Sequence, residues 1–397
     1  MFNDRLERIG DYPFDRLRAL LGPVEPRAGL APISLALGEP QHTPPDIIRA
    51  SVEANAALWG RYPPMAGTPE VRRAIAAWLT RRYDLPIAMI DPDTNVVPVS
   101  GTREALFLLA LAAVPEKKAG HQPVVLMPNP FYQVYAGAAV LAGAEPVFLP
   151  ATKETGFLPD FSAVPQDVLD RTVLVYYCSP SNPQGMISGL ETLKNLVRLA
   201  RTYDFVLASD ECYSEIYQHD PPPGAAAACA ALGGGLANVA ILNSLSKRSS
   251  APGLRSGFVA GEAGFIRRFT RLRDYGAVAP PLPLVAAATA LWAEETHVEA
   301  NRALYRRKFD VAERVLGERF GFYRPPGGFY LWLDVGDGEA VARNLWRDAA
   351  VRVVPGAYFA RTDASGRNPG AAYIRCALVQ DIETTRQALE RLAAALK

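Results

Sequence analysis

Through the middle of the chain, short apolar runs rich in β-branched and aromatic residues alternate with longer segments of helical periodicity. The runs Val124–Met127, Pro146–Leu149, Thr172–Tyr177, Phe205–Ser209, Val239–Leu242 and Ser256–Ala260 read as strands. Between them, Thr102–Val114, Phe131–Leu141, Leu190–Tyr203 and Ala263–Tyr275 carry helical spacing. This alternation is the pattern of an α/β domain with a mostly parallel sheet, buried on both faces by helices. Beyond residue 290 the texture changes. A long charged helical stretch, Glu294 to Phe320, precedes short strands around Gly328–Leu333, Arg352–Val354 and Tyr373–Leu378, which predicts an appended α+β domain. The N-terminal segment, with Tyr12-Pro13-Phe14 and the strand-like Ile33–Ala36, has no core of its own and is expected to dock on the rest of the molecule. The pattern thus divides the chain into a segment 1–46 packing with the small domain, a large domain 47–290 and a small domain 291–397. Two domains agree with a prior of about 100–200 residues each.

The composition, 49% hydrophobic and 21% charged, is that of a globular chain with a large core and excludes a disordered or fibrous one. Lys and Arg number 42 against 41 Asp and Glu, a net charge of +1, so no overall field draws the protein to nucleic acid or an anionic membrane. An anionic ligand must be met by a local site. Cys178, Cys212, Cys229 and Cys376 form no CxxC pair, and His42, His121, His219 and His297 lie near none of them at metal-ligand spacing. Both facts argue against a disulfide scaffold and against a metal site. The charged N-terminus has no apolar stretch of the signal-peptide kind, which together with the thiols predicts a cytoplasmic protein. No membrane span is read: Ala225–Leu242 is mostly Ala and Gly with Asn238 inside it, and Ala105–Val114 is too short.

Ligands of open α/β sheets sit outside the carboxyl ends of the strands, so polar residues just after the predicted strands carry the candidate chemistry. Lys247 follows the buried run Val239–Leu242 in a hydroxyl-rich turn, Ser244-Leu-Ser246-Lys247-Arg248, with Arg255 close behind. Most lysines are surface residues. Here Ser244, Ser246, Arg248 and Arg255 crowd one turn as a nest for a phosphate, and nearby cations favour the neutral, nucleophilic amine. Asp210 ends the strand Phe205–Ser209, where it reads equally as a helix cap or as a carboxylate for a ligand cation such as a protonated pyridine, with Tyr213 near a ring hydroxyl. Ser179-Pro-Ser-Asn182-Pro-Gln-Gly185 is a turn by composition. Ser100-Gly101-Thr102-Arg103 opens a helix and reads as an anion site, although neither a Walker loop nor a GxGxxG is present. Arg375, inside the apolar strand Tyr373–Val379, must meet either a protein carboxylate or a substrate carboxylate.

Together these motifs resemble the class I/II aminotransferases of fold type I, pyridoxal-5′-phosphate enzymes, over essentially the whole chain and in the family's order. Ser-Leu-Ser-Lys247 with Gly-Leu-Arg255-Ser-Gly resembles the Schiff-base motif, Asn182-Pro-Gln-Gly185 the Asn-Pro-Thr-Gly motif, Asp210-Glu-Cys-Tyr213 the Asp-x-x-Tyr motif, and Tyr373-Ile-Arg375 the C-terminal carboxylate arginine. The resemblance implies a large domain with a mostly parallel seven-stranded sheet and a smaller α+β domain. It implies that Lys247 carries the cofactor, Asp210 pairs the pyridinium, Asn182 and Tyr213 bond the ring O3′, and Tyr132 stacks on the ring. Gly101, Thr102, Arg103, Ser244, Ser246 and Arg255 would surround the phosphate, and Gly38 would pass close to the substrate whose α-carboxylate Arg375 clamps. Tyr62 would reach the neighbouring subunit's phosphate, making a homodimer with shared active sites. Gln184 departs from the family's Thr, with a small effect expected, and the bonds Asn182–Pro183 and Asn129–Pro130 are open to the cis form.

Within the family, the resemblance is closest to bacterial N-succinyl-LL-diaminopimelate aminotransferases of lysine biosynthesis. It rests on Asp11-Tyr-Pro-Phe-Asp-Arg-Leu17, Leu37-Gly-Glu-Pro40, Gly156-Phe-Leu-Pro-Asp160, Ser209–Tyr217 and Ser244–Gly261. The implied acceptor is 2-oxoglutarate. An aminotransferase for acetylornithine, aspartate or an aromatic amino acid, or a fold-type-I lyase, would use the same central residues. Arg248, Arg271, Arg273 and Tyr275 are the candidates for a second substrate carboxylate.

Overall fold

The computed structural model describes residues 2–396. Its strands are β1 Ile33–Ser34, β2 Val96–Val99, β3 Val124–Asn129, β4 Glu145–Pro150, β5 Thr172–Cys178, β6 Val206–Asp210, β7 Val239–Ser244, β8 Gly257–Gly261, β9 Tyr330–Asp334, β10 Val351–Arg352, β11 Val354–Pro355 and β12 Tyr373–Ala377. The helices are α1 Pro13–Leu21, α2 Ile47–Ala54, α3 Pro69–Tyr83, α4 Thr102–Ala113, α5 Gln133–Leu141, α6 Gln166–Arg171, α7 Leu190–Tyr203, α8 Ala225–Leu232, α9 Leu245–Arg248, α10 Ala263–Gly276, α11 Leu282–Ala293, α12 Thr296–Leu316, α13 Gly338–Ala349 and α14 Ile382–Ala395.

Seven strands form the main sheet in the order β2-β8-β7-β6-β5-β3-β4. The expected mostly parallel α/β sheet is thus present, with β8 alone antiparallel to its neighbours β2 and β7. The link from β7 to β8 carries only the four-residue α9 and a short 3-10 turn, too little for a full crossover, so the chain returns antiparallel. Successive strand residues feed opposite cores. Val124, Leu126, Leu207 and Ile241 pack with Trp78 of α3, Leu196 of α7 and Trp292 of α11, while Val125, Met127, Ala208 and Leu242 pack with Leu109 of α4, Tyr135 of α5 and Phe269 of α10. Burial on both faces is why these strands read as unbroken apolar runs.

A further core lies between the antiparallel sheet β11-β12-β9 and helices α12, α13 and α14. The N-terminal segment joins it at two places. Ile33 pairs with Val351 as β1 aligns parallel to β10, and α1 buries Leu17 and Leu21 against Trp346, Val354 and Phe359. Where one strand is expected over Arg352–Val354, there are two: β10 pairs with β1 and β11 pairs with β12, with buried Val353 at the change of sheet. No helix among the described residues is long and apolar enough to cross a membrane.

Candidate active site

The chain crosses from β3 to the sheet edge at β4 and returns to β5 on the other side, which opens a crevice past the carboxyl ends of these strands. A cavity of about 620 Å³ lies there. Lys247 enters it from α9, directly after β7. Ser244 caps that turn, its Oγ accepting from the Ser246 amide at 3.1 Å. The Lys247 Nζ donates to the Gly38 carbonyl at 2.5 Å and stands 5.4 Å from the centre of the Phe329 ring. Burial pulls the Lys247 ammonium down to about 8, with the Arg375 charge acting in the same direction.

Asp210, at the end of β6, is buried; its Oδ2 accepts from the Tyr135 hydroxyl at 2.6 Å and its Oδ1 from the Cys212 amide at 3.3 Å. Burial raises its carboxyl above the ordinary value, against the pull of those two donors. Tyr135 is itself clamped on Tyr176, with the rings stacked at 4.5 Å. Neither tyrosine is among the residues singled out from the sequence. Tyr135 had one visible sign, a phenol in the otherwise small and apolar helix Gln133–Leu141, since a buried hydroxyl ordinarily needs a partner.

Arg375 on β12 is 3% exposed. Its guanidinium donates to Asn182 Oδ1 at 3.2 Å and to the Ala36 carbonyl at 2.8 Å, and lies between the rings of Tyr330 and Phe359. Its Nε has no partner and no protein carboxylate pairs with it among the described residues. Tyr213 and Tyr330 share a hydroxyl contact at 3.0 Å beside it. Gly38 has no room for a side chain, because a Cβ would fall 1.9 Å from the Tyr330 hydroxyl.

The helix α4 begins at the same cavity. Its N-cap, Gly101, has φ +92° and offers no side-chain cap, and a Cβ there would fall 2.2 Å from Arg255. Arg255 donates to the carbonyls of Ser100 and Pro252 at 2.9 and 3.0 Å. The Arg103 guanidinium turns the other way, to the hydroxyls of Tyr132 at 2.6 Å and Tyr12 at 3.1 Å. Gln184 is buried, its amide donating to the Ala151 carbonyl at 3.3 Å. The bonds Asn129–Pro130, Ser179–Pro180 and Asn182–Pro183 are cis.

Gly38, Thr102, Arg103, Tyr132, Asn182, Asp210, Tyr213, Ser244, Ser246, Lys247, Arg255 and Arg375 therefore share one cavity, and Gly101 packs against its wall. Tyr62 does not join them; it is fully exposed. Arg248 is a correction. Instead of joining the phosphate turn, its guanidinium is buried, bonds Glu295 at 2.6 Å and the Leu291 carbonyl at 2.8 Å, and lies over Trp78 and Trp292. Nor does Arg273 offer itself to a substrate carboxylate: it is buried on Glu104 and the carbonyls of Met65 and Pro98. Arg271 and Tyr275 are exposed, outside the cavity.

Residues 32–392 match the family described as aminotransferase class I and II, and the chain belongs to that family. It is accordingly a pyridoxal-5′-phosphate-dependent fold-type-I transaminase acting on amino and oxo acids. The crystal structure of an aminotransferase from Neisseria meningitidis matches all of both chains at 40% identity with a TM-score of 0.94. LL-diaminopimelate aminotransferase of Aquifex aeolicus is 32% identical over 98% of each chain. A 4-dedimethylamino-4-oxo-anhydrotetracycline transaminase of Streptomyces rimosus is 31% identical over 98% of this chain and all of its own.

Proposed function

We propose that the chain exchanges an amino group between N-succinyl-LL-2,6-diaminopimelate and 2-oxoglutarate, as a homodimer with shared active sites in the cytoplasm. The observation that carries the transaminase chemistry is the pairing, in one cavity, of a lysine amine depressed to about 8 with a buried carboxylate and a buried arginine that has no carboxylate partner among the described residues. These groups fit pyridoxal 5′-phosphate and an amino acid. Asp210 is a buried acid that calls for a cation, as a pyridinium is, and the uncapped amides of α4 at Gly101, Thr102 and Arg103 suit a phosphate. Ser244, Ser246 and Arg255 add hydroxyl and guanidinium donors on the other side of that cradle. Asn182 and Tyr213 would hold the ring hydroxyl and Tyr132 the ring face.

When bound, the cofactor supplies an electron sink at the substrate Cα and stores the amino group between half-reactions. Lys247 would hold it, and its Nζ, when neutral, would be the base placed to take a proton from the substrate Cα and return it. Asp210 would supply the negative charge that a protonated ring nitrogen of the cofactor needs. Arg375 holds the α-carboxylate with a planar fork that lysine lacks, and Gly38 leaves room for the substrate backbone. Both amino acids use one site in turn, which gives ping-pong kinetics.

The substrate assignment is supported by the sequence features shared with N-succinyl-LL-diaminopimelate aminotransferases, and the cavity lining also includes the apolar residues Phe14, Leu37, Phe157 and Leu158, which could pack on the methylenes of a succinyl group. A second reading, unacylated LL-diaminopimelate, is favoured by the Aquifex aeolicus relative. At nearly the same identity, the Streptomyces rimosus relative bears the name of a tetracycline-type substrate, so identity at this level does not decide the donor. The deciding experiment supplies each donor with 2-oxoglutarate and follows glutamate. A kcat/KM at least about tenfold higher for the succinylated donor, more than 1.4 kcal/mol of transition-state preference, is expected; preference for the unacylated donor would replace the assignment with the second reading.

A further inference from the structure

We infer that Asn301 is a positioning residue for Lys247, held in place by a hydrogen-bonded chain that runs from Lys308 through His42. The inference rests on the reading of Lys247 as the cofactor lysine. The helix α9 is only four residues long, so the carbonyls at its end have no later helical amide to accept from. Asn301 supplies what is missing: its amide donates to the Lys247 carbonyl at 3.0 Å and to the Arg248 carbonyl at 3.2 Å. Both amide hydrogens are then committed, which leaves Oδ1 to accept from His42 Nδ1 at 2.7 Å. With its proton on Nδ1, the ring accepts at Nε2, and the Lys308 amine lies 2.6 Å away as donor. Lys308 also donates to the Leu378 carbonyl at 3.1 Å, beyond the end of β12. Each link thus has one donor and one acceptor.

Asn301, Tyr305 and Lys308 stand at i, i+4 and i+7 on α12, one face of the helix. The His42 ring packs on Tyr305 at 4.6 Å, Tyr305 stacks on Phe329 at 5.3 Å, and Phe329 faces the Lys247 amine. A further strap joins the same segments, the Ser250 hydroxyl donating to the His42 carbonyl at 3.0 Å. Burial, and then the Lys308 charge, lower the His42 pKa and keep the ring neutral, as its two roles require. Burial also brings Lys308 down to about 7, and it donates in either protonation state. A buried lysine and asparagine are costly where apolar side chains would pack, and this chain ends on the two carbonyls that set the direction of the reactive turn.

The test compares the wild-type chain with Asn301→Ala and with His42→Phe, which keeps a ring on Tyr305 but deletes the donor to Asn301. In cofactor-free protein, Lys247 is labelled with trinitrobenzenesulfonate across pH and read by peptide mass; in holoenzyme, kcat and KM are measured with glutamate as donor. Both variants are expected to shift the midpoint of Lys247 labelling and to lower kcat by about ten- to a hundredfold, with KM changed less than about threefold. Native labelling and native kcat in either folded variant overturn the proposal, even where the melting temperature falls. If Asn301→Ala does not fold, His42→Phe decides by the same two readouts. Borohydride reduction of wild-type holoenzyme tests the underlying reading separately: cofactor mass on any peptide other than that of Lys247 sinks it, whatever the variants do.

Discussion

Lys247 and Arg248 are adjacent in sequence and opposite in fate. On a helix, neighbouring residues point about 100° apart, so the turn that aims Lys247 into the cavity drives Arg248 into the core between Trp78 and Trp292. Charge clustering in the sequence could not reveal that divergence. The lysine, Asp210 and Arg375 were legible because each is a charged residue next to or inside an apolar strand. In cofactor-free protein the Lys247 amine, whose pKa is depressed to about 8, should become neutral above that pH. Its acylation should therefore rise with a midpoint near pH 8; a midpoint at the ordinary lysine value of about 10.4 would contradict the burial argument. Lys247→Ala should abolish turnover while leaving the fold, and a variant transaminating at the native rate would remove Lys247 from the mechanism. Arg375→Ala removes charge-assisted hydrogen bonds worth about 1.5–3 kcal/mol each, so KM for carboxylate substrates should rise roughly ten- to a hundredfold. An unchanged KM would place the α-carboxylate elsewhere.

At the scale of elements, the central strands and helices were visible because burial on both faces makes each strand apolar along its length. Two features were not. The sequence Arg352–Val354 lies where the chain passes between sheets, and nothing in three residues marks the change of partner. In α12, the buried stripe Asn301, Tyr305, Lys308 is hidden among exposed charges of the same helix, since its polarity mimics a solvated face. Gly38 gives this scale its own test. Its Cβ would collide with the Tyr330 hydroxyl, and the Tyr330 ring packs against Arg375. Gly38→Ala should displace Tyr330 at a cost of about 1–3 kcal/mol, lowering the melting temperature and raising KM together. A native melting temperature with native KM would mean the contact is relieved freely.

For the whole molecule, exposed apolar residues fall, among other places, in the segments 59–62 and 275–278. Tyr62 and Tyr275 are nearly bare, and Val278 and Trp59 are more than half exposed. The segments that bear them lie near the start of α4: the Val278 carbonyl accepts from the Ser100 hydroxyl at 2.5 Å, and buried Arg273 ties the Met65 carbonyl to α10. An apolar surface beside a site is what a partner subunit would cover. In a two-fold dimer each site would combine Lys247 of one subunit with Tyr62 of the partner subunit. Complementation tests this directly. Lys247→Ala and Tyr62→Ala subunits, each poorly active alone, are co-expressed with different tags and the mixed dimer is purified. With shared sites, both defects fall in one site and the other is intact, so the mixed dimer should show roughly half the wild-type activity. With self-contained sites, one site lacks the lysine and the other the tyrosine, and the mixed dimer stays at the average of its parents; that result would confine Tyr62 to its own subunit and remove the shared-site reading.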